Sequence, residues 1–262
     1  MSLEEFKIIF WWEWIHRFLG RLIGISFLLP LIFFSLKIGF KKLFNFYLIF
    51  FLICFQGFIG WYMVSSGLVE RVDVSHFRLS IHLIIAFFII SLILWNYLIL
   101  NNKYKIVNNI KYHFPLIFLF LIYLQIIIGA FVSGMDAGQI YNTWPLMGSN
   151  YFPDDNNFIY LFKISAFSDP SLVQFMHRNL AYLIFIFYLF MMIKIYKNKL
   201  SKLYFSINIL GILLIIQILL GILTLLYGAQ ILIASMHQIS SIFLVSSSIY
   251  FLYLNTNQQL SN

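Results

Sequence analysis

The chain has 262 residues, of which 62% are hydrophobic and 10% charged, where soluble domains carry roughly 25% charged residues. With a mean hydropathy of +0.91, 31 phenylalanines and 16 tyrosines, this composition excludes a soluble globular enzyme and points to a bundle that crosses a bilayer many times. The net charge of +8 sits in short lysine clusters between apolar runs; the positive-inside effect accounts for it, so no nucleic-acid partner is implied.

Apolar stretches of about 20 residues predict seven transmembrane helices, at 12–36, 43–64, 79–100, 115–134, 172–193, 203–227 and 231–254. The expected fold class is an all-α polytopic membrane protein, with lipid as its surrounding partner. Lys37, Lys41 and Lys42, then Lys103, Lys105 and Lys111, then Lys194, Lys197, Lys199 and Lys202 mark three connectors on the inner side. The connectors 65–78 and 135–171 are mixed in charge, with Glu70, Asp73, Asp136, Asp154, Asp155 and Asp169, and 228–230 is uncharged. These face outward, which puts the N-terminus outside and the C-terminus inside. No cleavable signal is expected before the first helix. The single cysteine, Cys54, lies in an apolar run, which leaves no disulfide framework and no cysteine metal site.

An internal repeat organises the helices. His16-Arg17 recurs as His177-Arg178, 161 positions later, and Gln56-x-x-x-Gly60 recurs as Gln217-x-x-x-Gly221 at the same offset. His82 matches His237 at 155, the outer loop before it being shorter. The halves share one membrane orientation and form a parallel repeat. The expectation is two pseudo-symmetric four-helix bundles: a half-bundle of three helices over 1–112 and a complete bundle over 113–262. The helix with Gln125-x-x-x-Gly129 opens the second bundle, and its counterpart would precede Met1. The first helix of the first bundle is therefore expected to be missing, through a wrong start site, a split gene or a real loss.

His16, His82, His177 and His237 are each expected one to two turns from the outer end of their helix, at a shared depth. A lone intramembrane histidine is as readily an interhelical hydrogen-bonding group. Two per half at equivalent positions suit bis-histidine ligation of heme, with quinone or substrate contacts as the alternative. His76 and His113 fall in connectors and are expected at the surface. Arg17 and Arg178 follow the first histidine of each pair; they could pair with heme propionates or snorkel to headgroups, as could Arg21.

Glu13 precedes His16 by three and shares its helix face, at a depth where a carboxylate is costly and usually functional. The second half has Gln174 in that place. An acid in one of two matched sites suggests proton-coupled chemistry in the first half and cofactor holding in the second; the alternative is an interfacial pair with Arg17. The Gln-x-x-x-Gly pairs suggest close helix approach, with the glutamines hydrogen-bonding across helices. Tyr141-Asn-Thr-Trp144-Pro145-Leu-Met147 reads as an ordered lid over the second half, or as a stretch in which Trp144 anchors at the interface.

Taken together, Glu13-x-x-His16-Arg17, Gln56-Gly-x-x-Gly60-Trp61-Tyr62-Met-Val-x-Ser-Gly67-Leu68, Arg78-Leu-x-x-His82-Leu, Asp136-Ala-Gly-x-x-Tyr141-Asn-Thr-Trp-Pro-Leu-Met147, Gln174-Phe-x-His177-Arg178-x-x-Ala-Tyr182 and His237-Gln238 resemble the heme A synthase family, in its alphaproteobacterial and mitochondrial branch. The resemblance covers nearly the whole chain. It implies an enzyme that oxidises the C8 methyl of heme O to a formyl group, making heme A for cytochrome c oxidase. It further implies heme b on His177 and His237, and substrate heme O near His16 and His82. Glu13 matches the family's essential acid. Heme O synthase is the implied partner. An electron acceptor such as a quinone, and a homo-oligomer, are also expected. The expected location is the bacterial inner membrane, or alternatively the mitochondrial one. The family's first helix with its Gly-rich outer segment has no counterpart here, so an incomplete substrate half is expected. The paired outer-loop cysteines of other branches are absent too, as suits this branch. The rival from another class is a non-catalytic diheme electron carrier working with quinone, which needs the four histidines but no acid. A repeat-built transporter would show helices broken at the midplane.

Overall fold

Long apolar sequence in lipid has essentially one local solution, the helix, because each backbone group must find its partner inside the segment. The computed structural model describes residues 2–67, 74–101, 104–106, 109–111 and 113–259. Leu68, Glu70, Asp73 and Lys103, named above, lie outside the described residues. Among the described residues, seven helices are long and apolar enough to span a membrane: α1 (Leu3–Ile38), α2 (Phe44–Gly67), α3 (His76–Asn101), α4 (His113–Gly134), α5 (Pro170–Lys197), α6 (Tyr204–Leu226) and α7 (Ile231–Thr256). The expected spans are met within a few residues, with one exception. Helix α1 starts at Leu3, where Ser2 and Glu5 form a capping box, so it is 36 residues and about 54 Å long. An apolar-run criterion finds the part in lipid, whereas the cap decides where the helix begins. His16 consequently lies about three and a half turns into its helix, deeper than its sequence counterparts. His76 and His113, both expected in connectors, are the first residues of α3 and α4.

Contacts divide the chain into two units, Met1–Val69 and Glu70–Asn262. This is a division by packing, whereas 1–112 and 113–262 are a division by repeat, so α3 belongs to the first half by sequence and to the second unit by contact. In the first unit, α1 and α2 pair as a hairpin. The Ser35 hydroxyl meets the Tyr47 hydroxyl at 2.7 Å and bonds back to the Leu31 carbonyl at 2.7 Å, while Phe27 stacks on Phe50. Gly39, at φ 86°, makes the turn between them.

In the second unit, α4 packs on α5 and α7, and α6 on α5 and α7, so α5 and α7 stand across one diagonal of a four-helix bundle. Helix α3 lies outside it, against α4 and α7. Fully buried Phe118, Met191, Ile195, Ile207, Val245 and Phe251 fill the interior. Lipid is as apolar as these side chains, so their contribution is close packing rather than escape from water. Gly211 lets α6 approach α5: a Cβ there would collide with the Tyr188 hydroxyl, which donates to the Ile207 carbonyl. At the inner end β1 (Tyr104–Ile106) pairs antiparallel with β2 (Asn257–Gln259). Buried Asn255 accepts from the Ile110 amide at 2.9 Å and donates to its carbonyl at 3.1 Å, fastening the end of α7 to the α3–α4 connector.

Candidate heme site

His177 and His237 lie near the outer ends of α5 and α7, and the neighbouring helix seats each of them in the same way. On α4, the Gln125 amide donates to the His177 backbone carbonyl at 3.0 Å and lies 3.2 Å from the ring Nε2. On α6, the Gln217 amide donates to the His237 carbonyl at 3.0 Å and lies 3.3 Å from Nδ1. One helical turn further, a Cβ on Gly129 would come within 3.0 Å of His177 Cε1, and one on Gly221 within 3.0 Å of His237 Cε1. The Gln-x-x-x-Gly pairs are thus histidine seats: the glutamine grips the histidine and the glycine leaves room for its ring. Sequence reasoning had foreseen the close approach and the interhelical hydrogen bond, but not the partner. The signal available was that each Gln-Gly pair lies on the helix preceding a histidine helix.

The two imidazoles belong to helices at opposite corners of one bundle. Gln125 Oε1 and His177 Nδ1 are buried without a hydrogen-bond partner. Among the described residues no three His, Cys, Asp or Glu converge as a metal site, so a bare ion here would find two protein ligands. A porphyrin supplies four nitrogens of its own and needs just two axial ligands from the protein. The residues present fit a heme.

The loop between α4 and α5 closes the outer end. Arg178 donates to the carbonyls of Thr143 (2.9 Å), Leu146 (3.2 Å) and Tyr141 (3.0 Å), and Gln174 adds a second donor to Tyr141 at 3.1 Å. Trp144 Nε1 donates to the Tyr182 hydroxyl at 3.0 Å, and the Tyr151 hydroxyl to Asn179. Asn142 reaches the Leu225 carbonyl at the end of α6. The segment is an ordered lid held by α5 and α6. Gly148, at φ 74°, is required within it, since a Cβ would come within 2.9 Å of Asp154. Asp154 is held below the usual carboxylate range by hydrogen bonds from Asn150 and Ser149. At Asp155 partial burial pushes the pKa up, but donors from Ser171 (2.6 Å), Tyr141 (2.9 Å) and Asn156 bring it below the ordinary value. Arg178 therefore has a use, the lid backbone, that was not foreseen beside propionates and headgroups; its Nε is buried without a hydrogen-bond partner.

Of the first-half residues, Glu13, His16 and Arg17 are exposed on α1, and Arg17 pairs with Glu13 at 3.3 Å. Arg21 is exposed on the same helix. His82 is half-buried on α3, in the other unit. Position for position, Gln174 and Arg178 both donate to one lid carbonyl, whereas Glu13 cannot donate and accepts from Arg17 instead.

A family model described as cytochrome oxidase assembly protein matches residues 1–249. The chain is 48% identical over 264 residues to a heme A synthase of Pelagibacter ubique, covering 98% of this chain and 76% of that protein. It is 44% identical over 261 residues to one of Rickettsia bellii, covering 95% and 76%. To one of Wolbachia pipientis it is 41% identical over 259 residues, covering 96% and 72%. The chain thus spans about three quarters of the length of these relatives. On motifs, helices and whole-chain similarity alike, it belongs to the heme A synthase family.

Proposed function

We propose that this multi-pass protein of the bacterial inner membrane oxidises heme O to heme A, with a heme b held between His177 and His237 as its electron-accepting group. The observation that carries the reading is the matched seating of two imidazoles by Gln125 and Gly129 and by Gln217 and Gly221, in a member of this family. Bound heme b would supply one-electron redox capacity. His177 and His237 would hold it, Gln125 and Gln217 orient them, and the Arg178-pinned lid keeps water from the outer face.

The substrate assignment rests on the repeat. His16 and His82 occupy the sequence positions of His177 and His237, so heme O is assigned to them, with Glu13 one turn from His16. Conversion of the C8 methyl to a formyl group takes one oxygen from water and releases four electrons and four protons. It proceeds as two two-electron oxidations to a geminal diol that loses water. Glu13 takes up protons or stabilises developing positive charge. The four electrons require an acceptor, for which a quinone is the proposed class, and heme O synthase is the proposed source of heme O.

The test is to purify the chain from cells supplied with heme O and to identify the extracted pigments by chromatography. Heme A or hydroxylated heme O supports the reading, whereas heme b alone supports the diheme carrier. Glu13→Gln should abolish product; an unchanged heme A yield removes Glu13 from the chemistry.

A further inference from the structure

Between the lid and α5 the chain runs Asn157-Phe-Ile-Tyr-Leu-Phe162-Lys163-Ile164-Ser-Ala-Phe167-Ser168, too short to span a bilayer and too apolar for an ordinary watery loop. It folds as two 3-10 turns, Phe158–Phe162 and Ile164–Ser168. Asn157 caps the first by accepting from the Ile159 amide at 3.2 Å, and the amides of Tyr160, Lys163, Ala166 and Asp169 each bond three residues back. The neck is polar and closed. The Asn156 side-chain amide reaches both Asp169 carboxylate oxygens at 3.3 Å, while Asp169 caps α5 at the Leu172 amide. Ala166 is buried, and Phe167 meets Phe131, one turn inside the end of α4, edge to face. The root of the loop is therefore held at the level of the helix ends. Its tip is bare: Ile164 is 89% exposed, Phe162 79% and Ile159 62%.

We propose that this loop is an interfacial anchor, its tip inserted into the lipid leaflet around the lid end of α4 and α5. An exposed apolar patch of this kind marks a docking surface, and two observations name lipid as the occupant. The loop leads through Asp169 directly into Pro170, the first residue of α5, so the patch continues the surface that the spanning helices offer to the bilayer. Lys163 is the one charged residue over 157–168, and its amino group lies 4.4 Å over the Tyr160 ring. A lone cation among aromatic and aliphatic side chains suits a headgroup phosphate above and acyl chains below. Short 3-10 turns also fit this depth better than the hydrocarbon core, because water at the boundary serves the backbone groups that such turns leave over. Through the Asn156–Asp169 neck, the anchor moors the lid to the membrane surface.

The test labels the full-length chain with a nitroxide at Phe162→Cys or Ile164→Cys, with Cys54→Ser removing its one native thiol. The labelled chain is reconstituted into vesicles of phosphatidylethanolamine and phosphatidylglycerol. Power saturation of the electron paramagnetic resonance signal compares collisions with oxygen, which concentrates in lipid, and with a nickel chelate, which stays in water. The expected result is a positive depth parameter, the logarithm of the oxygen rate over the nickel rate, at both positions. A negative value at either one puts the tip in water and overturns the proposal. Few collisions with both reagents overturn it as well, since protein then covers the tip, whether another part of this chain, a second copy or a different protein. Ile159→Cys replaces either variant that fails to reconstitute. None of these readouts depends on heme.

Discussion

Gly221 faces His237 so closely that a Cβ on it would come within 3.0 Å of the imidazole Cε1, and Gly129 stands in the same relation to His177. Alanine at either position forces the ring to shift by a few tenths of an ångström. Overpacking of this kind costs about 1–3 kcal/mol, which corresponds to roughly 5- to 150-fold weaker hemin retention. Pyridine hemochrome assay of purified Gly129→Ala and Gly221→Ala checks it. Gly24→Ala, with nothing within 4 Å of the new Cβ, should retain full hemin.

Arg178 holds three lid carbonyls. Hydrogen bonds to charged groups contribute about 1.5–3 kcal/mol each where desolvated and less where wet. Arg178→Leu should therefore open the lid, seen as faster amide exchange over 141–155 with the transmembrane helices still protected. Exchange rates equal to wild type would show that the loop does not depend on this residue.

Lid order should also depend on acidity. The Asp155 pKa lies below its ordinary value of 3.8. A depressed folded value means that the contribution is complete above the ordinary value and fades as pH falls through the lower folded one. Amide exchange of the lid should stay slow from neutral pH to about 4 and speed up below that. Asp155→Asn should reduce the step, leaving the part that belongs to Asp154, which is also held below the usual carboxylate range. A lid that loosens between pH 5 and 7 would contradict this assignment.

Buried Asn255 makes a reciprocal pair with the Ile110 backbone. Asn255→Leu leaves an amide and a carbonyl unpaired, at a cost of about 1–3 kcal/mol each. Thermal unfolding in detergent should show a lowered midpoint, while the spectrum of bound hemin is retained at low temperature.

Much of this protein was legible in its amino acids because lipid is a strict solvent: seven apolar runs became seven helices, and lysine clusters marked one set of connectors. The recurrence of His16-Arg17 as His177-Arg178, and of His82 as His237, singled out the imidazoles without coordinates. Partnership was another matter. Gln125 lies 52 positions from His177 and Gln217 lies 20 from His237, so no common spacing announces that each amide grips a histidine. Arg178 could have met a propionate or a headgroup, and the folded course of residues 141–146 gave it three carbonyls. Backbone pairing within a helix is a local matter that composition and periodicity decide, whereas the partner of a polar side chain depends on which helices stand side by side, and that is settled only when the bundle packs.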